Sequence, residues 1–279
     1  MWWLFYSLLA AILWGVGQIF VKRGLRDISS LFNTALSTLV GFLIFMPFSL
    51  INGVHFEQFF QILPVALVIS TLFLIYYYAI NHGQISLTGT VIGIFPIIVV
   101  ILSLLFLHET PSIYQKLAIA IAIAGTVTVA APSKLGKVHF GPWFWWALFA
   151  VFSIGIADFM IKILLNQYDV YTYLFTFTLC SMFVTLLVVF LDKKGRVLPK
   201  FTWKHYLPTL IGVTMMEFGF FVFHLALSQG YASLVTPISG IYVAITAILA
   251  WLILKEKLSK FQFAGVALCA IGVVLVGIA

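Results

Sequence analysis

Long apolar stretches alternate along the chain with short polar or Gly/Pro-marked breaks, and no stretch reads as a soluble domain or a long linker. The runs begin near Trp2, Leu31, Ile62, Ile85, Ile113, Pro142, Tyr171, His205, Ser233 and Phe261, which predicts ten helices. Each is close to the roughly 20 apolar residues that an α-helix needs to cross a bilayer, and too long for a barrel strand. The expected fold class is therefore all-α integral membrane. The first run, Trp2 to Val21, lacks a basic leader and a small-residue cleavage site and is expected to be retained.

The pattern repeats. An offset of 147 residues aligns Phe73 with Phe220, Gly83 with Gly230, Ser86-Leu87 with Ser233-Leu234, Gly93-Ile94 with Gly240-Ile241, Glu109 with Glu256, Gln115 with Gln262 and Gly125 with Gly272. Earlier in each half the offset is 140, matching Gly15 with Gly155 and Lys22 with Lys162. The difference is absorbed in the polar loop from Asp192 to Lys204. The chain is thus expected to hold two five-helix repeats, residues 1–131 and 142–279. Five is odd, so the second copy would enter the membrane from the opposite face. Inverted repeats of this kind are the usual architecture of alternating-access carriers, with the substrate near the midplane.

The Trp14-Gly15 pair followed by Phe20 and Lys22 resembles the EamA branch of the drug/metabolite transporter superfamily. So do the helix-ending Leu107-His108-Glu109 and Leu254-Lys255-Glu256, each followed by a Gln and a Gly-containing apolar helix. The resemblance covers nearly the whole chain. It implies a ten-helix basket with helices 3, 4, 8 and 9 near a central cavity, and export or exchange of metabolites such as amino acids, sugars or cationic compounds.

Composition agrees with a membrane protein: 63% of the residues are hydrophobic, 8% are charged, and the mean hydropathy is +1.16. The net charge of +7 does not point to nucleic acid, because the basic residues sit in short loops where they meet anionic headgroups. Thirteen of the 15 flank loops on one side and only Lys116 and Lys162 fall on the other. The positive-inside rule then predicts a multi-pass cell-membrane protein with both termini non-cytoplasmic. Many similar proteins instead carry a basic loop after helix 2, where Asn52 to Gln61 has neither Lys nor Arg. Trp2, Trp3, Trp143, Trp145, Trp146 and Trp203 lie at run edges and read as interfacial anchors. Cys180 and Cys269 read as small packing residues, and no pattern of His and Cys suggests a metal.

Candidate chemistry concentrates in a few positions. Glu217 lies mid-helix in the eighth run, where a charge costs roughly 2.5–3.5 kcal/mol on insertion scales. Helical spacing places Glu217, Phe221 and His224 on one stripe, as a proton or cation site or as a hydrogen-bonded packing element. The first-half counterparts are Ser70, Phe73 and Tyr77. Asp158 and Lys162, four apart, are spaced to pair along the sixth helix, opposite Gln18 and Lys22 on a stripe that begins at Trp14. Lys22, Asp158 and Lys162 read as gate residues at opposite mouths. Glu109 and Glu256 read as gating or capping residues at the next helix's N-terminus. Gly93 and Pro96, with Pro237 and Gly240, are expected to break or closely pack the fourth and ninth helices, and Tyr242 offers a cavity hydroxyl.

The function expected is secondary active transport of a small polar or cationic metabolite, such as an amino acid or amine, by export or exchange. Protons are a candidate coupling ion, no cofactor is implied, and the protein is read as a monomer or homodimer in the lipid bilayer. No Gly-x-x-x-x-Gly-Lys-Ser/Thr loop is present to couple nucleotide hydrolysis. The alternatives are an intramembrane enzyme acting on an amphiphilic substrate, for which clustered catalytic groups are lacking, and a channel or scaffold.

Overall fold

The computed structural model describes residues 1–24, 29–82, 91–131, 142–192 and 203–278; the side chains of residues 22–24, 30, 76–82, 142–143 and 203–205 lie outside the description. All regular structure among the described residues is helical. The elements are α1 (Trp2–Gly24), α2 (Ser30–Asn52), α3 (Phe56–His82), α4 (Phe95–Phe106), α5 (Ile113–Ala130) and α6 (Pro142–Gln167). They continue with α7 (Val170–Leu191), α8 (Trp203–Gln229), α9 (Ala232–Gly240), α10 (Tyr242–Leu254) and α11 (Lys260–Ile278). Among the described residues nine spans are long and apolar enough to cross a membrane, with α9 and α10 counted as one, and the described part of the fourth run contributes the shorter apolar helix α4.

Local chemistry sets the boundaries. Ser112 accepts from the Gln115 backbone N–H at 3.2 Å while the Gln115 side chain accepts from the Ser112 N–H at 2.9 Å, a capping box that starts α5. Ser259 and Gln262 form the same box before α11, at 3.2 and 3.0 Å. The preceding corners match too: His108 and Lys255 take left-handed φ values of 52° and 58°. There the Glu109 and Glu256 N–H groups close back onto the Ser103 and Ala250 carbonyls at 3.3 and 3.2 Å. The third helix begins at Phe56 rather than near Ile62, because a first turn carrying Glu57 and Gln58 precedes the apolar run. The fourth start near Ile85 lies outside the described residues.

Packing pairs the halves. α1 lies along α8 and α3 along α6, α1 meets α10 and α6 meets α4, α2 contacts α7, and α5 packs on α11. Along α1, Trp3 meets Gly230, Trp14 meets Gly219 and Val21 meets Gly212, so α1 and α8 run antiparallel. α5 and α11 do likewise, with Ala122 against Gly272 and Val129 against Gly265. The main core draws on α1, α2, α3, α4, α6, α7, α8 and α9, leaving outward rows such as Leu186, Phe190 and Phe263 exposed to the surroundings.

Candidate functional site

The site is organised around two helix breaks. In the first half, residues 91–92 are helical, Gly93 and Ile94 form a turn, and α4 starts at Phe95; in the second, α9 ends at Gly240 and α10 resumes after Ile241. Both breaks use i→i−3 bonds: Ile94 N–H to Val91 at 3.2 Å, and Ile241 N–H to Ile238 at 3.3 Å. Pro96 sits in the first turn of α4, where its missing N–H leaves no helix bond unmade, while Pro237 lies inside α9 just before the break. The two breaks touch: a Cβ added to Gly240 would lie 3.4 Å from the Pro96 ring. The ninth run is therefore two helices rather than one, and breakage and close packing occur at the same positions.

The α8 stripe divides. Glu217 accepts a short hydrogen bond from the Ser37 hydroxyl of α2, and its carboxylate fills the space beside Gly41. Phe221 also faces α2, with ring centroids 4.9 Å from Phe48 and 6.2 Å from Phe45. His224 turns instead toward α7, with its ring 5.4 Å from Tyr173 and 6.0 Å from Phe177. The three residues span about 10 Å of helix axis, and over that length the stripe passes from α2 to α7. His224 Nδ1 lies 2.6 Å from the Phe220 carbonyl oxygen. A carbonyl only accepts, so Nδ1 carries the hydrogen, and His224 Nε2 has no partner among the described residues.

The expected Asp158–Lys162 pair along α6 is not formed; Lys162 donates from Nζ to the Leu227 carbonyl at 2.8 Å. Leu227 stands in the last turn of α8, where carbonyls lack helical donors and the helix dipole is negative, and a buried ammonium satisfies both. Asp158 is buried at 3% exposure and does not receive the Lys162 ammonium. Glu109 likewise does not cap the helix that follows it, since Ser112 and Gln115 already do. Its carboxylate accepts instead from the Ala232 and Ser233 N–H groups at 2.8 and 2.9 Å and from the Ser233 hydroxyl at 2.5 Å, holding the start of α9 in the other half. Glu109 and Lys162 thus bracket the α8–α9 corner, the one at the start of α9 and the other at the end of α8. Glu256, at the equivalent place in the second half, is exposed.

Trp14 is an anchor at the junction of α1, α8 and α10. Its indole N–H donates to the Met216 carbonyl at 3.1 Å, and its ring meets Phe220, Phe223 and Tyr242 at centroid distances of 5.0, 5.2 and 5.7 Å. Gln18, one turn on, is half-buried. Ser70, at the position equivalent to Glu217, is buried with its hydroxyl unpartnered among the described residues. The side chains of Tyr77 and Lys22 lie outside the described residues. Two participants were not singled out from the sequence. Ser37 lies beside Thr38 and Tyr173 beside Thr172, each one of several polar groups in its run, and nothing in their spacing links them to Glu217 or His224.

A chain of long apolar helices, packed as two matched halves around facing helix breaks, is a multi-pass membrane protein. It belongs to the EamA-like transporter family, whose model matches residues 1–131 and 141–278. The chain is also similar to a solved crystal structure, with a TM-score of 0.80 at 16% identity over 99% of this chain and 96% of that one, which shows the shared fold. A 69-residue stretch is 39% identical to an uncharacterized protein of Methanocaldococcus jannaschii, covering 25% of this chain and 50% of that protein. Another 62 residues are 42% identical to a probable magnesium transporter of Arabidopsis thaliana, covering 22% of this chain and 18% of that protein. The chain thus spans half or less of each of these two relatives.

Proposed function

We propose that the chain is a secondary active transporter that exports or exchanges a small polar or cationic metabolite, such as an amine or amino acid, by alternating access. The observation that carries this reading is the duplicated seating of the halves. A Cβ added to Gly15 would lie 2.6 Å from Ile245 and 3.3 Å from the Tyr242 carbonyl; one added to Gly155 would lie 2.6 Å from Ile98 and 3.3 Å from the Phe95 carbonyl. These are equivalent residues, so each half grips the other's broken helix in the same way. Two conformations that exchange the roles of the halves can reuse one set of contacts.

The antiparallel pairing of α5 with α11 supports ten spans in inverted repeats, since a two-fold axis in the membrane plane reverses a helix relative to its mate. With the basic loops cytoplasmic, both termini face outward. On this reading Glu109 and Lys162, at the α8–α9 corner, are assigned to one mouth, and their repeat mates Glu256 and Lys22 to the other. Glu217 is the candidate proton-coupling carboxylate. The magnesium of the plant relative's name is not carried over, because the match covers 18% of that protein.

Purified protein in proteoliposomes tests the reading. Saturable uptake of a radiolabelled amine or amino acid that accelerates when the lumen holds unlabelled solute is expected of a carrier. Flux that neither saturates nor shows counterflow sinks it in favour of a channel.

A further inference from the structure

In the interior of the second half, two polar atoms, on α7 and α8, have no partner among the described residues, and a carboxylate on α6 is buried in the same half. His224 is 1% exposed and presents Nε2 as a bare acceptor, because Nδ1 holds its hydrogen against the Phe220 carbonyl. Tyr173 of α7 is fully buried, and its hydroxyl has no partner among the described residues. Its ring lies 5.4 Å from that of His224, and Asp158 of α6 is within electrostatic reach of it. The ammonium one turn along α6 does not serve Asp158, since it is given to the Leu227 carbonyl. Buried polar groups are satisfied in native proteins, so this group calls for an occupant.

The inventory of donors and acceptors specifies what that occupant carries. A carboxylate accepts, a neutral imidazole nitrogen accepts, and a phenol does either, so the missing element is a group rich in N–H donors. The carboxylate asks for positive charge, because an isolated anion in an apolar interior is costly. The surrounding walls are aromatic: Phe177 stacks on Tyr173 at 5.8 Å, and Phe220 and Phe223 lie 6.4 and 5.9 Å from the His224 ring. Aromatic faces attract cations and cover apolar stems.

We propose that Asp158, Tyr173 and His224 form a binding site for a small primary organic ammonium ion. Asp158 takes the charge and one N–H, His224 Nε2 and the Tyr173 hydroxyl take the others, and the phenylalanine rings cover the carbon skeleton. The proposal rests on the transporter reading and sharpens it, choosing amines over zwitterions, since Lys162 is held at the neighbouring corner.

The test uses the full chain in lipid nanodiscs with radiolabelled phenethylammonium as the probe. Expected is saturable binding, displaced by other primary aralkylammonium ions but at least tenfold less well by the N,N,N-trimethyl analogue, which keeps the charge and lacks N–H donors. The uncharged 2-phenylethanol should compete more weakly still. Asp158→Asn, close to isosteric, should weaken binding tenfold or more, and Tyr173→Phe severalfold; Lys116→Gln, an exposed residue, should leave affinity unchanged. Should Asp158→Asn fail to yield folded protein by gel filtration, Tyr173→Phe and the trimethyl analogue decide the matter. Wild-type protein that binds no primary ammonium saturably, or binds the trimethyl analogue equally well, overturns the site. Counterflow of some solute that is indifferent to Asp158→Asn and Tyr173→Phe overturns the site while leaving the carrier standing. Amine binding without counterflow retains the site and removes the carrier.

Discussion

Residue for residue, the two halves agree in how their backbones meet and disagree in the chemistry they set there. Gly15 and Gly155 seat equivalent residues of the opposite half at equal distances, and the helix breaks at Gly93–Ile94 and Gly240–Ile241 fall at equivalent positions. Yet Ser70 stands where the other half has Glu217, and Glu109 is buried against α9 while Glu256 is exposed. Close approach of two backbones leaves no room for variation, because a side chain larger than hydrogen collides with the neighbouring helix. Side chains beyond those seats are under no such constraint. The scaffold is therefore held in common by both halves, and the ionisable side chains set on it differ.

The sharpest way to break the comparison is to fill its shared seats. Gly15→Leu and Gly155→Leu each force a side chain into a space where even Cβ would lie 2.6 Å from an isoleucine, and each is expected to cost about 3 kcal/mol or more. Denaturant unfolding in detergent measures both, and if one substitution is tolerated and the other is not, the seats are not equivalent.

Glu109→Gln comes next. It replaces one accepting oxygen by an NH2 donor, so at least one bond from a backbone N–H is lost and the remainder go to a neutral acceptor, a loss of about 1.5–3 kcal/mol. Glu256→Gln, at an exposed position, should cost under about 1 kcal/mol. Equal losses would mean that the described difference between the two corners does not reflect their energetics.

The smallest effect on stability belongs to the Glu217 and Ser70 pair. Ser70→Ala removes a buried hydroxyl without a partner among the described residues, so stability should stay within about 1 kcal/mol of wild type or rise. Glu217→Gln keeps an oxygen to accept from Ser37, so it too should fold. It should nevertheless reduce proton-gradient-driven uptake at least tenfold while sparing counterflow. Full gradient-driven uptake by Glu217→Gln would remove Glu217 from the coupling path and leave it as a tie between α2 and α8.

The candidate site was only partly legible in advance. Glu217, His224, Asp158, Lys162 and Glu109 stand out because a polar group in a hydrocarbon-length run is expensive wherever the chain takes it. Their partners do not stand out, since Ser37 lies 180 residues from Glu217 and the Ser233 N–H lies 124 residues from Glu109. Spacing along one helix suggested a bond between Asp158 and Lys162. A helix end arriving from α8 offered the lysine a better acceptor.

The sequence by itself determined that the chain spans a membrane, that it is built twice, which residues could break or closely pack the fourth and ninth helices, and to which family it belongs. Those properties follow from local hydropathy, helix-breaking residues and self-similarity, all of which are written in order along the chain. Only the tertiary structure decided that Glu217 faces α2 while His224 faces α7, that Lys162 closes the end of α8, and that Asp158 is left beside Tyr173. Each of these depends on which helices lie side by side. In an apolar solvent that choice is governed by the fit of small residues such as Gly15, Gly155 and Gly219 against surfaces far away in the chain.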